Sequence, residues 1–242
     1  MEVIKDAEGY VDHPAEERNF QRAIVTGCGS KYGLVILKQI LHRFDSVELY
    51  TSQNHSDIDL PSKLKNKLYT HTISWEAPVF KHNNKKYNLV FFNHNSSPQD
   101  FSLQNYNTDV IWTQDIIDKL HKHENLKVGW MITAGIISPP DWFEYSPYFH
   151  MKHSRLYLMY FMQYLHPGKY FAVDPGEPSQ WTDIERKQQA IHLAEFMLGS
   201  IDQPGTIYKA VYHNGKVQPP EFNWKLEWTR AQHETGDPFI YD

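Results

Sequence analysis

The sequence predicts an α/β chain built on a doubly wound, mostly parallel sheet, and three observations predict it. Short apolar runs alternate with helical patterns from Arg22 to Lys216, the order in which crossovers join parallel strands. The first run, Ala23 to Val25, passes through a glycine-rich turn into Leu34, Leu37, Ile40, Leu41 and Phe44 at helical spacing, which reads as strand, turn, helix. At 242 residues the chain can close one sizeable core, and its length demands no second domain.

The elements follow in order. Residues 1–21 are polar and acidic without clear periodicity and read as an N-terminal arm. After the first helix, Ser46 to Tyr50 is a strand; Ser62 to Lys67 forms a short basic helix, and Leu68 to Ser74 alternates like a strand. Trp75 to Lys86, with Pro78 and Asn83-Asn84, is too short and broken for a full crossover helix. Tyr87 to Phe92 is a buried strand, Asn105 to Leu120 an amphipathic helix with Val110, Ile111, Ile116, Ile117 and Leu120 as its stripe, and Lys127 to Thr133 the next strand. A second long helix, about Tyr148 to Leu165, is apolar or aromatic on most faces, so burial is expected. Lys169 to Val173 is a strand, Thr182 to Leu198 a helix capped by Thr182 with Glu185 three residues on, and Thr206 to Tyr212 a last strand. Residues 217–242 read as a C-terminal tail.

Composition narrows the function. A net charge of -5 and a pI near 6.3 leave no basic footprint for nucleic acid or an anionic membrane. Cys28 is the single cysteine, which rules out an intrachain disulfide and a cysteine-based metal cluster and suits a reducing cytoplasm. The most apolar run, Leu156 to Leu165, is too short to span a bilayer. The fourteen histidines have no metal-ligand spacing, so no metal site is expected.

Two motifs carry chemistry. Gly27, Gly29 and Gly33 form a variant glycine turn, which permits positive φ and lets a pyrophosphate approach the backbone at a helix N-terminus. No acid follows the second strand; Thr51, Ser52 and Gln53 stand where one would accept from a ribose 2′-hydroxyl and repel a 2′-phosphate. With Lys31 in the turn, this electrostatics favours NADP(H) over NAD(H). Tyr148 and Lys152 stand four apart on one helix face, where an ammonium favours phenolate over phenol. Lowering a tyrosine to neutrality takes roughly three pKa units, about 4 kcal/mol, so a nicotinamide's positive charge would have to assist. Tyr212 and Lys216 repeat the spacing, but they bracket a turn at Asn214-Gly215.

Taken together, residues 22–216 resemble the short-chain dehydrogenase/reductase family, whose fold is a three-layer, Rossmann-like single domain. Thr26, Gly27, Gly29 and Gly33 match its T-G-x-x-x-G-x-G turn, except that Lys31 stands at a usual glycine; Asn93-His-Asn-Ser96 sits where the family has N-N-A-G. Tyr148 and Lys152 match its Y-x-x-x-K pair, Pro175-Gly176 its P-G, and Asn107 its helix asparagine. The resemblance implies a divergent oxidoreductase that interconverts a carbonyl and an alcohol. Tyr148 would be the acid/base, Lys152 would hold the nicotinamide ribose, and Asn107 would support a proton relay. The cofactor would lie against Thr26, Gly27, Gly29, Ser30, Lys31, Gly33, Thr51, Ser52, Asn93, Pro175 and Gly176. The register at which the family carries its catalytic serine falls on Gly135, leaving Thr133 or Ser138 to orient the carbonyl. Trp142, Phe143, Tyr145 and Trp181 occupy the loops that wall the family's substrate pocket. The resemblance also implies a homodimer, or a homotetramer built from it, through the two long helices. A catalytically inactive dinucleotide-binding or scaffold protein of the same fold, and a related epimerase or dehydratase, are the other readings.

Overall fold

In the computed structural model of the chain, the described residues are 4–5, 11–12, 21–29, 31–75, 77–81, 84–94, 103–132, 147–166, 168–174, 206–209, 211–213, 216–218 and 223–225. Strands β1 (Ile4–Lys5) and β2 (Val11–Asp12) form a two-residue antiparallel ribbon ahead of the main sheet. The main sheet opens with β3 (Arg22–Thr26), passes through helix α1 (Lys31–Arg43), and continues with β4 (Ser46–Thr51), the short helix α2 (Ser62–Lys65) and β5 (Leu68–Thr72). Then come β6 (Leu89–Phe92), a helical stretch composed of α3 (Leu103–Tyr106), a π-helical segment Asn107–Trp112 and α4 (Thr113–Leu120), and β7 (Lys127–Met131). Helix α5 (Pro147–Leu165), β8 (Tyr170–Asp174), β9 (Thr206–Lys209), the hairpin strands β10 (Val211–His213) and β11 (Lys216–Gln218), and β12 (Asn223–Lys225) follow.

The sheet runs β12-β9-β8-β7-β6-β3-β4-β5. Every pairing from β5 to β9 is parallel, and β12 adds an antiparallel edge beside β9. The chain leaves β3 toward β4 on one side and returns to β6 on the other, so the order reverses at β3. An open parallel sheet has a crevice at the carboxyl ends of its strands at such a point, and ligands bind there.

Burial on both faces explains the near-continuous apolar strands. Ala23, Val25, Val47, Leu49 and Phe91 face one layer, where α1 contributes Ile36, Leu37, Ile40 and Leu41. Ile24, Tyr50, Val90, Phe92, Val128 and Trp130 face the opposite layer, with Trp112, Ile116, Ile117 and Leu120 from the α4 side and Leu156 and Met159 from α5. The result is the three-layer, doubly wound arrangement. Helix α1 ends on His42 and Arg43, and Lys67 Nζ donates to Leu41 O at 3.0 Å and Phe44 O at 3.2 Å, which places cations at the negative end of the helix dipole.

Between β5 and β6 no helix occurs among the described residues, in line with the broken pattern of Trp75 to Lys86. Aromatic side chains cover the sheet instead: Phe80 lies 5.5 Å from Tyr50 and Trp75 5.8 Å from Trp112, ring centre to ring centre. Glu48, buried in β4, ties this connection down by accepting from Tyr87 Oη at 2.8 Å and Lys85 Nζ at 2.9 Å, with His71 Nε2 at 3.1 Å. A buried carboxylate needs such partners.

Candidate nucleotide site and Tyr148–Lys152 pair

The glycine turn sits where the sheet order reverses. Gly27 follows β3 with φ +76°, its N–H donates to Tyr50 O at 2.7 Å, and a Cβ placed on it would lie 2.9 Å from both Cα and Cβ of His94. Glycine is therefore required there both by the left-handed backbone and by the close approach. Asn93, buried at the end of β6, donates from Nδ2 to Gly27 O at 2.9 Å and Gly33 O at 3.2 Å, locking the turn to the start of α1. Thr51 ends β4, buried, and its Oγ1 accepts from Gln53 N at 3.2 Å. Cys28 Sγ donates to Gln53 Oε1 at 3.2 Å, and burial pushes its thiol pKa up, so it is a poor nucleophile. Ser52 and Gly29 are exposed beside it.

On α5, Tyr148 and Lys152 are brought together, with Lys152 Nζ 5.2 Å from the centre of the Tyr148 ring. Both are buried, at 4% and 1% exposure. The ammonium is not free: it is hydrogen-bonded and ion-paired to Asp109 Oδ2 from the π-helical segment. Around that carboxylate lie Arg155, with Nη1 at 3.9 Å, and His94, with Nε2 at 3.5 Å. Arg155, also buried, donates from Nη1 to His94 O at 3.1 Å and from Nη2 to Phe92 O at 3.3 Å, satisfying carbonyls at the end of β6. His94 Nδ1 meets Thr26 Oγ1 at 2.5 Å. A continuous buried polar run thus links the last residue of β3 to the Tyr148 helix.

Burial sets the charges in this run. It pushes His94 down to about 3, with Arg155 and Lys152 adding to the effect against the opposing pull of Asp109, so the imidazole is neutral. Burial also pushes Lys152 down to about 8, opposed by Asp109. For Asp109, burial alone would raise the pKa, but Lys152, Arg155 and His94 outweigh it and hold the carboxyl below its usual range.

The expected site residues separate into three groups. Thr26, Gly27, Gly29, Gly33, Thr51, Ser52 and Asn93 cluster at the β3 and β4 ends, and Lys31 opens α1. Tyr148 and Lys152 meet on α5. Asn107 is exposed, and the residue of its segment that reaches Lys152 is Asp109. Ser30, Thr133, Ser138, Trp142, Phe143, Tyr145, Pro175, Gly176, Trp181 and the helix expected at 182–198 lie outside the described residues. Tyr212 and Lys216 lie on opposite strands of a hairpin, one register apart. Asp109, His94 and Arg155 were not foreseen as site residues. The signal for Asp109 is an acid that falls in line with Thr113, Ile116, Ile117 and Leu120 at helical spacing. Arg155, three residues beyond Lys152 on a helix that is apolar or aromatic on most faces, is the corresponding signal there.

No protein-family model matches the chain, and no curated protein sequence matches it. Solved structures do. A protein assigned as a short chain dehydrogenase from Pseudomonas syringae aligns over 83% of this chain and 98% of its own, with TM-score 0.63 and 13% identity. A carbonyl reductase from Pseudomonas aeruginosa PAO1 aligns over 82% and 99%, with TM-score 0.56 and 11% identity. A protein assigned as an NAD-dependent epimerase/dehydratase from Bacillus halodurans aligns over 80% and 95%, with TM-score 0.58 and 15% identity. What is shared is architecture: the chain has the Rossmann-like open-sheet fold of these structures.

Proposed function

We propose that the protein is an NAD(P)(H)-dependent oxidoreductase that interconverts a carbonyl and an alcohol, with Tyr148 as acid/base. The observation that carries this reading is the coexistence, at one end of one sheet, of a built glycine turn and a Tyr148–Lys152 pair. The turn fits a dinucleotide: Gly29 is exposed, with only Gln53 near the place a Cβ would take, and α1 begins just beyond. Gly27, Gly29, Thr51 and Ser52 would hold the dinucleotide, and the absence of an acid among Thr51, Ser52 and Gln53 favours NADP(H). When bound, the nicotinamide supplies or accepts a hydride.

The chain's own part is the proton. Tyr148 gives its phenolic proton to the oxygen of the reduced carbonyl, and Lys152, beneath the ring, stabilises the phenolate left behind. Thr133 or Ser138 orients the carbonyl. Asn107 has no part in this proposal, because Asp109 is the residue of its segment that meets Lys152. The exposed apolar side chains Leu103, Ile111, Phe161, Tyr164 and Leu165 on the two helical stretches fit pairing with a second copy. A reducing cytoplasm suits the lone Cys28.

Tyr148→Phe should abolish NADPH-dependent carbonyl reduction while leaving the NADPH dissociation constant unchanged; undiminished turnover would contradict the assignment. A second reading, a dinucleotide-binding scaffold without chemistry, is favoured by the burial of Lys152 against Asp109. It predicts NADPH binding with no turnover across a panel of aldehydes and ketones.

A further inference from the structure

The role that the fold resemblance gives Lys152, holding a ribose, does not fit the side chain as it stands. Its ammonium is 1% exposed by residue and is bonded to a carboxylate from another helix. Arg155 lies 3.9 Å from that carboxylate and the neutral His94 ring 3.5 Å from it, and His94 is fastened to Thr26. Asp109 reaches inward through the π-helical segment Asn107–Trp112, with Thr108, Val110 and Trp112 buried around it. Such one-turn insertions often mark functional positions. Thr108 Oγ1 donates to Trp75 O at 2.8 Å, so the connection over the back of the sheet holds this segment as well.

We propose that Asp109 is a positioning residue that clamps the Lys152 ammonium beneath the Tyr148 ring, so that Lys152 serves Tyr148 and does not hold the nucleotide. The inference rests on the oxidoreductase reading for its catalytic half and on geometry alone for the clamp. A ribose hydroxyl is a neutral acceptor. To capture Lys152 it would have to displace a charge-assisted bond to a buried carboxylate, leaving Asp109 with a cation 3.9 Å away as its nearest remaining full charge. The same clamp relates Tyr148 to the glycine turn through Asp109, His94 and Thr26, a run of side chains with no exposed member.

Two measurements on the full chain test the proposal. The first is thermal unfolding of wild type, Asp109→Asn, Lys152→Met and the double variant. The clamp predicts that the double variant melts close to the worse single variant; melting shifts that simply add would overturn the clamp. The double variant leaves neither partner of the pair as a lone buried charge, so it remains informative if a single variant fails to fold. The second is calorimetric titration with NADPH alongside steady-state kinetics. Lys152→Met and Asp109→Asn should each bind NADPH within about threefold of wild type while kcat falls at least tenfold, a split that a general loss of structure would not produce. A tenfold or greater weakening of NADPH by Lys152→Met would overturn the inference and return Lys152 to the ribose. Wild type that binds neither NADPH nor NADH would overturn the oxidoreductase reading, and the melting cycle would still decide the clamp.

Discussion

At the scale of single residues, His94 shows how burial changes chemistry. An imidazole in the second place of Asn93-His-Asn-Ser96 reads in sequence as one more scattered histidine. In the fold it is wholly buried between Thr26 and Asp109, with Trp75 at 5.6 Å, Trp112 at 5.7 Å and Phe92 at 6.0 Å from its ring centre. Its pKa falls from 6.5 to about 3 on folding, so between those values the unfolded chain binds a proton that the native one refuses. Stability therefore falls as pH drops through that window, and the depressed Asp109 adds to the loss below the ordinary carboxylate range. Lys152 works at the other end: lowered from 10.5 to about 8, it makes stability rise with pH between those values. Urea unfolding from pH 6 to pH 4 checks the first effect. Wild type should lose about 1.4 kcal/mol per pH unit more than His94→Gln; parallel slopes would mean that the ring is charged or exposed. The cluster was illegible in sequence because its members come from four places, β3, the end of β6, the π-helical segment and α5, and only the fold brings residues 26, 94, 109, 152 and 155 together.

At the scale of elements, strands β3 to β8 and helices α1, α4 and α5 were legible because burial on both faces imposes long apolar runs, and the crossover order follows from parallel pairing. Two features were not. The stripe expected on residues 105–120 included Ile111, which is 52% exposed, and omitted Asp109, which is 1% exposed. The expected stripe follows residue type, so it takes in the apolar Ile111 and passes over the charged Asp109, which stands in line with Thr113, Ile116 and Leu120. Residues 217–242 read as a tail, yet β12 pairs with β9, with Trp224 opposite Ile207; a three-residue edge strand is too short for an alternation to show. Gly129 illustrates a constraint visible only in the packed sheet. A Cβ on it would stand 2.3 and 2.6 Å from ring atoms of Phe171 on β8 and 2.8 Å from Phe91 on β6. Gly129→Ala should overpack the β6-β7-β8 centre and destabilise by about 1–3 kcal/mol. Denaturant unfolding reads this as a lower midpoint at unchanged slope, and an unchanged midpoint would mean that the rings move aside freely.

At the scale of the whole molecule, the open sheet places its only described reversal of strand order beside the glycine turn, and the buried polar run joins that turn to α5. The outer surfaces of the helices carry a different feature. Phe161 is 50% exposed, Leu165 47% and Ile111 52%, apolar area that water disfavours and a second copy would cover. Phe161→Glu should convert a dimer in sedimentation velocity into a monomer while leaving the circular dichroism spectrum unchanged, and a wild-type chain that sediments as a monomer would refute the pairing. The glycine turn, the Tyr148–Lys152 pair and the three-layer fold could all be read from the sequence, since each is a local pattern. The commitment of Lys152 to Asp109 could not, since it depends on how far two helices approach each other.

The most direct test of the account is calorimetric titration of the purified protein with NADPH and, separately, NADH. The geometry of the Gly27 turn and the acid-free end of β4 predict micromolar or tighter binding of NADPH and weaker binding of NADH. Binding of neither by a folded protein would contradict the account, and would mean that the turn built by Gly27, Asn93 and Gly33 serves the fold alone.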